Sequence, residues 1–233
     1  MFELAEAVLK RIAETSFTLP VKFIAFIGYA AYGYSLTMHA EENNLSWLIL
    51  PSAIAVITIQ FFLSRQIGHA TKDERGSVSG WIGWSMLATI PPITCLLIVV
   101  LPVGGGWDTI ATEFSLPETL AIVVGSGLAM SMSALSVGRA IKAGGLSPGS
   151  MASYFRRHFL TIFLASVSLL LIPQFLSDLF FFNLLIEDPS APIIIICNIL
   201  GGLLMLVTQV LAVAISAQIY RSAEAEATVK VES

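Results

Sequence analysis

Acidic and basic residues alternate along this chain in step with its long apolar stretches. Six apolar stretches divide the sequence, and the first, third and fifth connections between them carry Asp and Glu but no Lys or Arg. The 12 Lys and Arg residues lie in the second and fourth connections and at the two ends of the chain. Short loops rich in Lys and Arg stay on the cytoplasmic side of a membrane. The pattern therefore predicts an integral membrane protein with both termini in the cytoplasm, and we expect a bacterial inner membrane.

Each apolar stretch is long enough to cross a bilayer, which takes about 20 residues as a helix. Charged residues make up only 12% of the chain, against about a quarter in an ordinary soluble domain. We therefore expect an all-α fold, a single bundle of six transmembrane helices over residues 1–221, followed by a disordered cytoplasmic tail at 222–233. The predicted spans are 17–38, 45–64, 81–102, 120–137, 159–182 and 193–220.

Residues 1–16 form a separate amphipathic segment. Phe2, Ala5, Val8, Leu9 and Ile12 recur at helical spacing, and charged residues occupy the other face. This pattern predicts a helix lying in the cytoplasmic interface of the membrane. A helix packed on the loops of the bundle would show the same pattern, so both interpretations remain open.

Two stretches of the chain resemble each other. In one, Arg65 ends an apolar helix, and Gly76-Ser77 precedes the next span; in the other, Arg139 and Gly149-Ser150 stand in the same order. Both units point the same way, which predicts a parallel hairpin repeat. Two unrelated hairpins under the same membrane constraints would also look alike.

Polar residues inside the predicted spans are the candidate functional positions, because such residues are costly in a bilayer. Asp178 is the strongest of them, and Gln174, Asn198 and Cys95 are expected at a similar depth in the outer third of their helices. They predict an outward-facing polar layer; a hydrated carboxylate at a helix end is the simpler reading of Asp178. A free cysteine in an apolar helix is usually a packing residue.

The fourth span is rich in small residues. Ser126, Ala129, Ser133 and Ser136 share one helical face, which predicts either close packing against neighbouring helices or one wall of a solute pathway. Pro91-Pro92 in the third span predicts a kink. We therefore take the candidate solute pathway to include Asp178, Gln174, Asn198, Ser126, Ser133 and Cys95. The candidate contacts for anionic lipids are Arg65, Arg139, Arg156 and Arg157.

Three classes of function are compatible with these features. The first is a non-enzymatic scaffold, accessory subunit or assembly factor, because the spans bury so little chemistry. The second is a small transporter or channel for an uncharged or weakly charged solute. The third is a lipid-modifying enzyme that uses His69, Arg156, Arg157 and His158. No zinc-protease motif or phosphate-binding loop is present, so we expect no enzymatic activity, catalytic residue, cofactor or metal. The expected partners are membrane lipids and other membrane subunits or further copies of the chain, not nucleic acid.

Overall fold

The computed structural model describes residues 2–40, 49–69, 74–100, 116–181 and 190–232. The protein is all-helical, with 90% of residues in helices and no strand in the described ranges. The helices within these ranges, numbered in chain order, are α1 Phe2–Glu14, α2 Leu19–Ala40, α3 Ile49–Ile67, α4 Val78–Val100, α5 Leu116–Leu128, α6 Met130–Ile141, α7 Pro148–Phe181 and α8 Ala191–Glu232.

Three of these helices are long and apolar enough to cross a membrane, namely α4, α7 and α8. The consecutive helices α5 and α6 make a fourth candidate when they are counted as one span. The all-helical class is therefore confirmed, and the structure supports three or four spans in the part of the chain that it describes, fewer than the six predicted. In α3, the apolar stretch Ile54–Ile67 is shorter than a bilayer crossing needs.

Helix α8 lies at the centre of the bundle. It packs on α1, α2, α3, α6 and α7, whereas α4 lies at the side and packs on α5 and α6. Glycine allows the closest of these approaches, because a Cβ added at Gly202 would overlap the Tyr29 carbonyl oxygen of α2. Small residues let helix backbones meet in this way when both helices are embedded in lipid.

The predicted fourth span is not one straight helix. It divides at Ala129 into α5 and α6, whose axes are bent by 59°. The Ala129 N–H still donates to the Gly125 carbonyl, but the Met132 N–H reaches only three residues back, to Ala129. Breaks of this kind occur at Gly and Ser residues, and this segment carries Gly125, Ser126 and Gly127.

Two helices extend beyond their predicted limits. Helix α7 starts at Pro148, eleven residues before the predicted span, because Ser147 caps it by accepting the Ser150 N–H at 3.1 Å. Helix α8 continues to Glu232, so residues 222–232 are helical where a disordered tail was expected. This stretch is rich in Ala and Glu, which favour helix, and its Glu226 pairs with Arg157 of α7.

Three arginines close one end of the bundle, which we call the basic end. Arg65 near the end of α3 donates to the Ala140 carbonyl near the end of α6 at 2.8 Å. Arg221 of α8 donates to the Gly68 carbonyl beyond α3 at 3.0 Å, and Arg139 donates to the Ala143 carbonyl. These bonds satisfy carbonyls that helix C-termini leave open.

The N-terminal helix also belongs to the basic end. It packs on α7 and α8, with Val8 fully buried and Arg11 donating to the Gln218 side chain at 2.9 Å. Its opposite face exposes Phe2 and Leu9. One face of α1 thus packs on helices α7 and α8, and the other presents apolar side chains outward.

The two predicted repeat units meet at the basic end through their connections. The Ser77 N–H donates to the Arg139 carbonyl at 2.8 Å, and the Ala143 N–H donates to the Arg75 carbonyl at 2.9 Å. Ser77 caps α4 by accepting the Gly80 N–H, as Ser147 caps α7. By its capping role Ser77 therefore corresponds to Ser147, whereas the sequence comparison paired Ser77 with Ser150.

Candidate functional site: a polar cavity between the helices

A cavity of about 850 Å³ lies inside the bundle, with residues of every helix from α2 to α8 in its wall. Hydroxyl and amide side chains occur along its whole length. The polar residues of the wall are Tyr32, Gln60, Ser64, Ser85, Thr89, Ser126, Ser133, Ser136, Gln174, Thr208, Gln209 and Ser216. The volume falls within the range of roughly 300–1,000 Å³ that small-molecule sites have in proteins.

The double proline of α4 helps to form the wall. Pro91 and Pro92 have no N–H, so the carbonyls of Leu87 and Ala88 lose their ordinary helical donors. Ala88 and Pro92 both line the cavity, which places a weakened stretch of backbone beside it. Gly125 of α5 packs against this stretch, where an added Cβ would lie 2.7 Å from the Pro92 nitrogen.

The break between α5 and α6 places serines on either side of a bend. Ser126 precedes Ala129, Ser133 and Ser136 follow it, and all four residues line the cavity. They are the small-residue face that the sequence indicated, so this face belongs to the wall despite the bend. A discontinuous helix with polar residues at its break is a common way to build a solute site within a bilayer.

Hydrogen bonds hold some of the wall hydroxyls and leave others available. Ser85 of α4 and Ser136 of α6 are 2.6 Å apart, and the Ser136 hydroxyl also donates to the Trp81 carbonyl at 3.1 Å. Among the described residues, the side chains of Ser126, Ser133 and Gln209 have no hydrogen-bond partner. These three groups can therefore bond a solute without breaking a bond of the protein.

Asp178 lies next to the cavity through Gln174. The Gln174 side-chain amide, which lines the cavity, donates to Asp178 Oδ1 at 2.9 Å. Thr119 of α5 donates its hydroxyl to Asp178 Oδ2 at 2.7 Å. The half-buried carboxylate is thus held between α5 and α7 by two donors.

No charged side chain lines the cavity in the part of the chain that the structure describes. The same residues contain no group of three or more His, Cys, Asp or Glu side chains that could hold a metal ion. A lining of hydroxyls, amides and apolar carbons suits an uncharged solute, because moving a full charge there without a partner would be costly.

Three of the predicted pathway residues are not part of the wall, and of these only Asp178 lies next to it. Asn198 is buried in α8 on the side that faces α2, where Gly33 approaches its backbone carbonyl. Cys95 is a half-buried free thiol of α4 outside the wall, and the other cysteine, Cys197, is buried and also free. Of the predicted polar layer, only Gln174 lines the cavity and only Asp178 lies next to it.

Sequence reasoning did not single out several hydroxyls of the wall, among them Ser85, Thr89, Thr208 and Ser216. On α4, Trp81, Ser85, Thr89 and Pro92 follow the spacing of one helical face, which is the signal that could have found them. Single hydroxyls in an apolar span are easily overlooked because a helix can satisfy them with its own carbonyls. Thr89 does this by donating to the Met86 carbonyl at 2.7 Å.

Of the histidines and arginines considered for lipid chemistry, all but Arg156 make structural contacts at the basic end. His69 Nε2 lies 3.3 Å from the Thr15 hydroxyl, and burial together with nearby Arg11 lowers the pKa of His69 below its usual value. Arg157 and His158 both face the Glu226 carboxylate. Arg156 is exposed, and Arg65 and Arg139 bond to backbone carbonyls as described above.

The comparisons with known proteins identify no relative. No protein-family model, no curated protein and no solved structure matches this chain. Function is therefore inferred from the cavity and the residues around it.

Proposed function

We propose that this protein is a small transporter or channel for an uncharged or weakly charged solute, with the cavity as its binding site or path. The observation that carries the proposal is the uncharged lining shared by seven helices, in which hydroxyl and amide groups lie among apolar side chains. In this proposal the chain crosses a bacterial inner membrane six times, with α5 and α6 as one broken span and both termini in the cytoplasm. It works without a cofactor and without an enzymatic step.

The extent of the cavity supports a path across the bilayer. Along α4 its wall runs from Trp81 to Leu96, which is about 22 Å at 1.5 Å per residue. The hydrocarbon core is about 30 Å thick. A cavity of this length needs only a short opening at one end or the other to connect with water. The bend at Ala129 and the double proline of α4 are the elements that would move.

A scaffold or accessory subunit is the second candidate, and one observation favours it. Among the described helices, α4 has substantial contacts only with α5 and α6. It exposes large apolar side chains such as Met86, Ile90 and Ile98. Lipid covers such a surface in a monomer, and another subunit or a second copy covers it in a complex.

The experiment for the transport proposal is a stopped-flow flux measurement on proteoliposomes. Light scattering follows liposome volume after mixing with urea, glycerol or xylitol, three uncharged solutes of increasing size. We expect protein-dependent flux for at least one of them. Ser133→Leu should reduce that flux to the level of empty liposomes, because the larger side chain fills the cavity beside the break.

Ser131→Leu is the matched control, since Ser131 lies on the same helix outside the cavity wall. Asp178→Asn should also reduce the flux by weakening the bonds that hold Gln174 and Thr119. Equal flux in the Ser133 and Ser131 variants would contradict the proposal. If none of the three solutes crosses, and a second membrane protein copurifies at a fixed stoichiometry in mild detergent, the scaffold function replaces the transport proposal.

A further inference from the structure

A second, smaller pocket lies at the basic end, away from the cavity. It has a volume of about 300 Å³ and is lined by Ser16, Phe62, Arg65 and Gln66. We call it the α3 pocket because three of these residues belong to α3. Ser16 comes from the connection between α1 and α2.

Arg65 supplies the pocket with a fixed positive charge. Its Nη1 donates to the Ala140 carbonyl and its Nη2 to the Glu74 carbonyl, both at 2.8 Å. Among the described residues no carboxylate lies within ion-pair distance of it, and the Glu74 carboxylate is turned to Arg221 instead. The two backbone bonds hold the guanidinium in place without neutralising it, so an anionic oxygen in the pocket would meet a preorganised cation.

Gln66 adds an acceptor that lacks a donor. Its Nε2 donates to the Thr18 hydroxyl at 2.8 Å, but its Oε1 is buried and has no partner among the described residues. A buried acceptor without a donor is costly, and a ligand that brings a donor removes that cost. A phosphodiester has no such donor of its own, whereas a headgroup with a hydroxyl or ammonium group supplies one.

The remaining wall of the pocket consists of Ser16 and the apolar ring of Phe62. Phe62, one helical turn from Gln66, has 48% of its surface exposed. Leu19 and Phe23 at the start of α2 are also exposed. An acyl chain can follow this surface from the pocket towards the middle of the bundle.

From this arrangement we propose that the α3 pocket binds the headgroup of a phospholipid that carries a hydrogen-bond donor. Arg65 binds the phosphodiester, Gln66 Oε1 accepts from a hydroxyl or ammonium group, and Phe62 contacts the acyl chain. Phosphatidylglycerol and phosphatidylethanolamine have the required donor, and phosphatidylcholine does not. The binding needs no transport activity, so it stands or falls independently of the function proposed for the cavity.

The test is native mass spectrometry of the full-length protein in detergent, with one of these three lipids added at a time. We expect phosphatidylglycerol and phosphatidylethanolamine to bind more tightly than phosphatidylcholine. Gln66→Leu should remove this preference. Arg65→Gln should weaken binding of all three lipids by about tenfold or more, as the loss of a charge-assisted hydrogen bond implies.

Because Arg65 also holds two carbonyls, Ser16→Leu provides a second variant that fills the pocket and leaves Arg65 unchanged. Lys142→Gln is the control, an exposed cation of the same end, and should bind like the unaltered protein. Equal binding of the three lipids, or unchanged binding in the Ser16→Leu variant, would overturn the proposal. If the deacylated headgroup glycerophosphoglycerol competes as well as the intact lipid, the phosphodiester site stands and its ligand is a soluble ester.

Discussion

Tyr220 shows how one side chain joins three elements at the basic end. It is almost fully buried in α8, and its hydroxyl accepts the Leu146 N–H at 3.2 Å, just before α7 begins. Its ring lies on Gly138 of α6 so closely that an added Cβ would overlap it. The ring can occupy this position only because residue 138 has no side chain.

Gly138→Ala should therefore destabilise the protein by about 1–3 kcal/mol, the usual cost of forcing extra atoms into a packed site. Gly83→Ala is the matched control on α4, because nothing lies within 4 Å of the added methyl group. Alanine favours helix over glycine by about 1 kcal/mol, so this control should be neutral or slightly stabilising. Thermal unfolding of the two purified variants measures the difference, and equal melting temperatures would show that Tyr220 yields readily.

At the scale of the element, α8 combines two different roles. Its first part is the apolar centre of the bundle, and its last part extends beyond the bundle with Ala223 buried and Glu226 facing Arg157 and His158. Low hydropathy made residues 222–233 resemble a disordered tail. Helix propensity and the contact with α7 are enough to continue the helix.

Ala225→Pro should end α8 near residue 224, because proline blocks the helical bond to Arg221 and clashes with its carbonyl. Residues 226–232 should then lose their protection from hydrogen exchange, while Ala225→Gln keeps it. The unfolding free energy should change by only about 1 kcal/mol or less, since the Arg157–Glu226 pair is partly exposed. Hydrogen exchange measured by mass spectrometry tests this, and rapid exchange of 226–232 in the unaltered protein would contradict a stable helix there.

At the scale of the whole molecule, the basic residues are assembled at one end. Helices α1, α3, α6, α7 and α8 all bring arginines there, and Arg11, Arg65 and Arg221 bond across different helices. The sequence predicts that these residues share one side of a membrane, and the structure brings the arginines to one end of the bundle.

A six-span topology can be tested by labelling single cysteines with a membrane-impermeant maleimide in oriented membrane vesicles. Cys95 and Cys197 are both free and can first be replaced by alanine. Lys142→Cys and Ser233→Cys should then label from the same side, and Gly105→Cys from the other, because odd and even connections alternate across the bilayer. Labelling of Gly105→Cys from the side of Lys142→Cys would refute six spans.

Much of the candidate site could be read from single helices. Ser126, Ser133 and Gln174 were predicted and line the cavity, because a polar side chain in an apolar helix is visible without knowing its neighbours. Asn198 and Cys95 were predicted by the same reasoning and lie outside the wall. Their depth along the helix was a property of sequence position, but the direction in which they face depends on how the helices pack.

The sequence by itself determined the all-helical class, the separation of charge and the small-residue face of the fourth span, because these depend on local composition and periodicity. Only the tertiary structure decided that this span breaks at Ala129 and that Ser85 and Thr208 join its serines around one cavity. Lipid-facing and protein-facing apolar surfaces are chemically alike, so hydropathy leaves the rotation of each helix open. Close packing at Gly125, Gly138 and Gly202 sets those rotations, and it involves residues that are distant in the chain.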